Sequence, residues 1–391
     1  MFGSIYVGLS GLTAYSRGLQ QVSNNVTNIN SPGFKGATVS FTDLVSYDGR
    51  GGLAGDSFGG GYGVANGDTR LDFRSGELRQ TERDLDLAMS GNGFMMLLDG
   101  DRALYTRTGS FEVDGDGHIV LSGTTYRLAT LSSSGQPMSV SIDASSTNAP
   151  KKTSTITFAD NLSSTAPSAV TVNDLKVYDS GGGEHVWTAV FTKSTTVADE
   201  WSIKVTDDKG RDIGTQTLKF VGGAPDPASA KPIFTDADNG LAVTFDFSGP
   251  VTSFSGGSVS SLRASKVDGH GVGAITAIRV NDQGRLEIAY SNNEKTDLGA
   301  IAIADFRDPQ ALEQRGGGLF VDGGQGERRV TDSADPSVGR VMSRRLEASN
   351  VDLAKQFGDL ILIQRGFQAS SQIISVSNDM IQQLFGIRGQ G

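Results

Sequence analysis

The stretch LAKQFGDLILIQRGFQASSQIISVSNDMIQQLF, residues 353–385, decides the architecture of this chain. Its large apolar side chains recur at steps of three and four residues, a spacing that aligns them along one face of a helix. A repeat near 3.5 residues is also what a helix needs to wind around a partner helix. The residues that define this face are Leu353, Phe357, Leu360, Phe367, Ile374, Ile381 and Phe385.

A matching apolar face lies at the N-terminus. It is formed by Ile5, Leu9, Leu12, Leu19, Val22 and Val26. The helix is expected to end at Asn28 to Gly33, where Asn, Pro and Gly stand together and break helical structure. We predict that residues 1–30 and 346–391 form a coiled-coil-like terminal helical domain, and that the two apolar faces are an assembly interface.

The polar residues of the two terminal segments indicate whether their apolar faces are buried between subunits or within one subunit. The first 42 residues contain only two charged side chains, Arg17 and Lys35. Hydroxyl and amide groups can be buried in an interface at lower free-energy cost than ions, because an ion must be desolvated. We therefore favour burial between copies of the chain. The alternative is a helical hairpin packed within one subunit, since most amphipathic helices face their own core.

Between the helices, short apolar segments alternate with glycine turns, as in Phe94–Leu98, Asp99-Gly100 and Leu104–Thr108. This spacing predicts strands joined by tight turns. Composition shifts toward Ser, Thr, Ala, Pro and Gly near the boundaries of a separate β pattern at 147–267. The chain is thus predicted to be multidomain α+β, with two mainly β domains besides the helices: an inner one at 31–146 with 268–345, and an outer one inserted at 147–267.

Composition and charge exclude several classes of protein. The chain has no cysteine, so disulfides and thiolate metal sites are excluded. No apolar run is long enough for a transmembrane helix, and the N-terminus lacks the pattern of a secretory signal peptide. Residues 43–339 carry a net charge of −14 within a total of −10. An acidic body without a basic patch argues against nucleic-acid binding.

Five stretches, in this order, resemble the bacterial flagellar rod and hook family. They are SNNVTNINSPGFK at 23–35, DLAMSGNGF at 86–94, YTRTGSF at 105–111, LEASNVDL at 346–353 and QRGFQA at 364–369. Together they cover both ends of the chain and the inner β region. The insertion at 147–267 is similar in position to the additional outer domain that hook proteins carry and shorter rod proteins lack.

The resemblance implies a structural subunit of a helical, bendable tube, the flagellar hook, which transmits torque from the motor and rod to the filament as a universal joint. The partners it implies are other copies of the chain, the rod, the hook cap, the hook–filament junction proteins and the flagellar type III export apparatus. Its implied location is the extracellular hook attached to the basal body. A distal rod protein is one alternative, and a secreted β-rich surface adhesin or hydrolase is another from a different class.

No catalytic or cofactor site is predicted. The histidines His118, His185 and His270 are far apart in sequence and lie beside turns or strands. Asp114 and Asp116 resemble the start of a calcium loop, but Ile119 and Thr125 stand where such a loop requires Gly and Glu. A hairpin turn explains this segment better. We therefore predict a protein that is not an enzyme, with no cofactor, metal or small-molecule substrate.

Overall fold

The computed structural model describes residues 2–43, 63–166, 169–324 and 327–388. It divides into two compact units. The helix-bearing unit comprises Met1–Asp143, Ile278–Glu287 and Asp297–Gly391. The second unit comprises Ala144–Ala277 and Ile288–Thr296. The predicted insertion at 147–267 falls within the first range of the second unit.

Two long helices begin and end the chain. Helix α1 spans Phe2–Thr27 and helix α2 spans Leu353–Arg388. Helix α1 ends just before the predicted breakers, and Gly33 has the left-handed φ of 70° that suits glycine. The Asp352 carboxylate starts α2 by accepting hydrogen bonds from the backbone N–H groups of Ala354 at 2.8 Å and Lys355 at 3.2 Å. The prediction of terminal helices on a mainly β chain is confirmed, while their coiled-coil geometry stays a prediction.

A twelve-stranded sheet forms most of the helix-bearing unit. Its strands are Asp86–Ser90, Phe94–Asp99, Arg102–Thr106, Thr108–Val113, Ile119–Leu121, Arg127–Leu131, Pro137–Ser139, Ala302–Phe306, Leu312–Arg315, Leu319–Asp322, Arg328–Asp332 and Arg340–Ser343. The chain therefore returns to this sheet after residue 297. Aromatic rings from both passages meet in the core, with the Tyr105 and Phe306 ring centroids 4.9 Å apart in an edge-to-face arrangement.

Two small strand pairs stand beside this sheet. Ala37–Asp43 pairs with Val64–Leu71, and Leu78–Gln80 pairs with Arg345–Glu347. The second pair joins a strand from the first quarter of the sequence to the segment that directly precedes α2. Short 3-10 helices occur at Asp143–Ser145, Pro309–Ala311 and Gly316–Gly318.

The second unit contains two five-stranded sheets. One is formed by Thr155–Asn161, Ile233–Asp236, Leu241–Asp246, Val251–Thr252 and Arg263–Val267, and the other by Val170–Tyr178, Glu184–Lys193, Glu200–Asp207, Asp212–Val221 and Ala224–Pro225. Alternate side chains of these strands point into one core, as the period of two along a strand requires. Trp187, Trp201 and Phe158 are completely buried there.

The remaining strands are Thr147–Asn148, Gly273–Val280, Arg285–Tyr290 and Lys295–Ala300. The last three each belong partly to one unit and partly to the other. None of the helices in the described ranges is long and apolar enough to cross a membrane.

Candidate assembly interface

The two terminal helices pack against each other in antiparallel fashion through a stripe of small residues. The contacts run from Gly8 beside Ile374 to Asn25 beside Gln356, so residue numbers increase along α1 where they decrease along α2. A Cβ atom added to Gly8 would lie 2.7 Å from Ile374 Cγ1. One added to Gly11 would lie 2.5 Å from the Ser370 hydroxyl. Glycine is therefore needed at these positions for the helices to approach this closely.

On α2 the buried positions repeat every seven residues. They are Gln356, Ile363, Ser370 and Ser377, and we call them the contact stripe. The apolar face predicted for α2 is a different stripe, which starts at Leu353 and Phe357. On the α1 side, Gly8, Gly11, Gly18, Tyr15 and Asn25 face α2. Small residues thus allow close backbone approach, and the larger side chains Ile363, Ile374 and Tyr15 pack over the glycines of the opposite helix.

The predicted interface residues fall into three groups in the isolated subunit. Five are exposed: Leu9, Leu19, Leu353, Phe357 and Phe367. Six are half-buried: Ile5, Leu12, Val26, Leu360, Ile374 and Ile381. Val22 is buried, and the side chain of Phe385 lies outside the described residues. Phe357 is 52 % exposed and Phe367 is 43 % exposed, so a large part of the predicted face is open to solvent.

Sequence reasoning missed further exposed apolar residues on the same helices. They are Tyr6, Ile361, Leu362, Ile373, Val376 and Met380. Leu362 is 70 % exposed. The run Leu360-Ile361-Leu362-Ile363 could have revealed a second apolar face, because four consecutive apolar residues cannot all lie on one side of a helix. More than half of the exposed large apolar side chains in the described part of the chain lie on α1 and α2, a concentration that marks an interaction surface.

A buried ion cluster connects the helices to the β sheet. The Lys35 ammonium donates to Glu347 Oε1 at 2.7 Å, and the Arg107 guanidinium donates from Nε to Glu347 Oε2 at 3.0 Å. Burial lowers the pKa of Lys35, and the Glu347 carboxylate opposes that shift. The cluster is well provided with hydrogen bonds, since Lys35 also donates to the Arg74 carbonyl and Arg107 to the Gly93 carbonyl. Such pairing is what makes buried charges tolerable.

The cluster explains why separate sequence motifs are needed together. Lys35 comes from the first motif, Arg107 from the third and Glu347 from the fourth. Their backbones are tied as well, because the Gly33 N–H donates to the Glu347 carbonyl at 2.8 Å and the Glu347 N–H donates to the Thr108 hydroxyl at 3.0 Å. The motifs that carry the family resemblance therefore meet where the terminal arms join the sheet.

The segment that resembled a calcium loop is a hairpin turn, as predicted. Asp114 Oδ1 accepts hydrogen bonds from the backbone N–H groups of Asp116 at 3.0 Å and His118 at 2.7 Å. This oxygen is therefore engaged by its own turn. Of the other two histidines, His185 Nε2 lies 3.1 Å from an Asp179 carboxylate oxygen, and His270 Nδ1 lies 3.1 Å from the Asn292 amide nitrogen.

Comparisons with known proteins identify the family. Three family models match: "Flagellar hook protein FlgE/F/G D1 domain" at residues 88–162, "Flagellar basal body protein FlaE D2 domain" at 146–314, and "Flagellar basal body rod FlgEFG protein C-terminal" at 342–387. The flagellar hook protein FlgE of Borreliella burgdorferi is 29 % identical, with 99 % of this chain and 100 % of the relative aligned. The matched domains and the relatives aligned over nearly the whole chain support a flagellar hook protein.

A second hook protein is similar over nearly the same extent, and a solved structure superimposes over a smaller part of the chain. The flagellar hook protein FlgE of Salmonella typhimurium is 29 % identical, with 97 % of this chain and 98 % of the relative aligned. The crystal structure of Helicobacter pylori flagellar hook protein FlgE2 superimposes with a TM-score of 0.49 and 13 % identity, covering 69 % of this chain and 99 % of that chain. The resemblance carried by the sequence motifs is confirmed by the full-length relatives.

Proposed function

We propose that this protein is the structural subunit of the flagellar hook, and that many copies assemble into a bendable helical tube that carries torque from the rod to the filament. The observation that carries the proposal is the apolar surface of α1 and α2. Leu9, Phe357 and Leu362 are each more than half exposed in the single subunit. A subunit with such a surface gains free energy when other copies cover it.

Burial of their exposed apolar surface favours these helices as the main assembly contact. Burying a large apolar side chain contributes roughly 1.5–3 kcal/mol when it passes fully from water into a packed interior. Several partly exposed side chains per subunit can together exceed the cost of holding subunits in a lattice. Charge adds little repulsion, since α1 carries only Arg17 and the charges of α2 include both signs.

We place the parts of the subunit in three concentric layers. Residues 1–30 with 346–391 form the inner tube, residues 31–146 with 268–345 form the next layer, and residues 147–267 lie outside. The acidic charge of residues 43–339 suits layers that face water, whereas the charge-poor helices suit burial among neighbours. Outer contacts should then be polar and wet, and can exchange with little loss of free energy while the tube bends.

The further partners follow from the same assignment. Along the tube, a hook subunit contacts other copies of itself. Subunits at one end of the tube contact the rod, and subunits at the other end contact the hook–filament junction proteins. It also passes through the flagellar type III export apparatus and polymerises beneath the hook cap. Its place is the extracellular hook attached to the basal body.

The alternatives are less well supported. A distal rod protein needs no large insertion, whereas this chain matches the D2 domain model over residues 146–314 and aligns with hook proteins over nearly its whole length. A surface adhesin or hydrolase does not need two terminal helices with exposed apolar faces. The relatives are named as hook proteins, a structural class.

Electron microscopy of the purified full chain under polymerising conditions tests the proposal. A hook subunit should form curved tubes, a rod protein straight tubes, and an adhesin none. The matched control is a chain that lacks residues 352–391, which should remain a soluble β protein. Straight tubes, or absence of tubes from the full chain under all conditions that polymerise hook proteins, would contradict the proposal.

A further inference from the structure

The side chain of Asn25, on α1, is hydrogen-bonded to two other segments at the base of the helix pair. It is 2 % exposed, near the end of α1. Its amide oxygen accepts from the Ala37 N–H at 3.0 Å, and its amide nitrogen donates to the Ala37 carbonyl at 2.8 Å. The same nitrogen donates to Gln356 Oε1, in the first turns of α2, at 2.9 Å. One carboxamide thus connects α1, α2 and the start of the strand Ala37–Asp43.

A second asparagine approaches the same backbone from the C-terminal arm. Asn350 precedes α2, and its amide oxygen accepts from the Gly36 N–H at 2.8 Å. Its amide nitrogen donates to the carbonyls of Asp72 at 2.6 Å and Arg74 at 3.0 Å. A Cβ atom at Gly36 would be in tight contact with Val351 Cγ2 at 3.2 Å and in ordinary contact with Asn350 Oδ1 at 3.5 Å, so glycine here mainly accommodates Val351.

Gly36 and Ala37 are therefore held on two sides. One side is the strand partner, where the Asp72 N–H donates to the Gly36 carbonyl at 2.8 Å and Ala37 lies opposite Leu71. The other side consists of two asparagine carboxamides, one from each terminal arm. A carboxamide offers a donor and an acceptor together, so it can replace a neighbouring strand in bonding to a peptide group.

We infer that Asn25 and Asn350 form a clamp on Gly36 and Ala37 that fixes the direction in which the helix pair leaves the β sheet. Within the contact stripe, Gln356 takes part in the clamp through its bond to Asn25, whereas Ser370 packs against Gly11 of α1. The clamp joins both terminal arms to the strand pair of Ala37–Asp43 with Val64–Leu71, which stands beside the twelve-stranded sheet, and tilting the helices would leave several buried polar groups without hydrogen bonds. Asn25 and Asn350 are thus positioning residues for the assembly surface.

What the clamp does for the tube rests on the proposed function. If α1 and α2 line the tube, their direction relative to the sheet must be the same in every subunit for a regular lattice to form. The direction itself is a property of the single subunit, so it can be measured without polymerisation. A failure of the clamp and a failure of the hook assignment are therefore distinguishable.

Pulsed electron spin resonance on the full chain tests the clamp below the polymerisation concentration. Because the chain has no cysteine, labels can be attached at two introduced cysteines only. Suitable exposed sites are Ser371→Cys on α2 and Asp101→Cys in a sheet turn. The labelled chain with Asn25 and Asn350 unchanged should give one narrow peak in the distribution of distances between the two labels. Asn25→Leu should lose this peak in favour of a broad distribution while helix content by circular dichroism is retained.

Two further variants make the result decisive. Asn24→Leu changes the neighbouring exposed amide and should keep the narrow peak. Asn350→Ala removes the other half of the clamp without altering either helix, so it decides the matter if Asn25→Leu fails to fold. A narrow peak that survives Asn25→Leu or Asn350→Ala would overturn the inference. So would a broad distribution in the labelled chain with the clamp intact.

Discussion

Replacing Phe367 by Asp should abolish polymerisation while leaving the subunit folded. The side chain is 43 % exposed on α2, so a carboxylate there can remain hydrated in the single subunit. A phenylalanine presents about 200 Å² of surface, which leaves about 85 Å² for a neighbouring copy to cover, or ~2 kcal/mol at ~25 cal/mol per Å². Loss of that burial alone raises the critical concentration about 30-fold.

The carboxylate adds a second and larger cost. Burying an unpaired charge among apolar side chains costs several kcal/mol more, because the ion loses its hydration and gains no counter-ion. The two effects together should raise the critical concentration by about 1,000-fold or more. Polymer should then be undetectable by sedimentation at concentrations where the unsubstituted chain assembles fully.

Two control variants isolate the effect of the interface. Phe367→Leu keeps an apolar side chain and should assemble with a modest rise in critical concentration. Val197→Asp introduces the same charge at an equally exposed apolar residue of the second unit and should assemble normally. Circular dichroism should show the same helix content in all three variants. If Phe367→Asp assembled within about threefold of the normal critical concentration, α2 would not be the main assembly contact.

Three further predictions concern other parts of the subunit. Removing residues 352–391 should leave a folded β protein that no longer sediments as polymer, since it deletes α2. Glu347→Gln should lower the free energy of unfolding of the helix-bearing unit by roughly 3–5 kcal/mol in urea titrations, because it leaves two buried cations without a counter-ion. The exposed control Glu313→Gln should cost less than ~1 kcal/mol. Asp238→Asn, which breaks an exposed pair with Arg211, should leave sedimentation unchanged and alter only tube curvature in micrographs.

Element types were predictable from the sequence because they depend on local patterns. The spacing of apolar residues predicted a C-terminal helix from Leu353, where α2 begins. The breakers at 28–33 predicted the end of α1, which stops at Thr27. The turn at Asp99-Gly100 joins two paired strands, and Gly100 has a φ of 60°. Each of these features is determined by residues close together in the chain.

The pairing surface of the helices could not be read in the same way. A search for large apolar side chains finds Phe357 and Phe367, because they stand out against polar neighbours. It overlooks Gly11 and Ser370, which meet at the contact stripe. Glycine and serine contribute little to an apolar pattern, yet they decide how closely two helix backbones can approach. Which face of each helix packs against the other helix therefore depends on these small residues, and the pattern of large apolar side chains does not reveal it.

The ion cluster was hidden for a different reason. Lys35, Arg107 and Glu347 lie far apart in sequence, and although Lys35 stands out as one of two charges in the first 42 residues, its partners are not evident from its own segment. Their contact depends on the pairing of Leu78–Gln80 with Arg345–Glu347, which no local signal specifies. The motifs did indicate that these residues matter. They could not indicate that the three side chains meet.

The two kinds of contact suggest how the subunit can be stiff while its neighbours adjust. Within the subunit, Glu347 is completely buried and bonded to Lys35, Arg107 and the Gly76 N–H, so any shift of the arms against the sheet would leave buried charges unpaired. The exposed faces of α1 and α2 carry large apolar side chains such as Leu9, Phe357 and Leu362 among polar ones, and contacts between apolar side chains have no fixed direction. Small displacements between copies therefore cost less than displacements within one copy. Bending of a tube built from this subunit should accordingly occur between subunits rather than at the joint between the helices and the sheet.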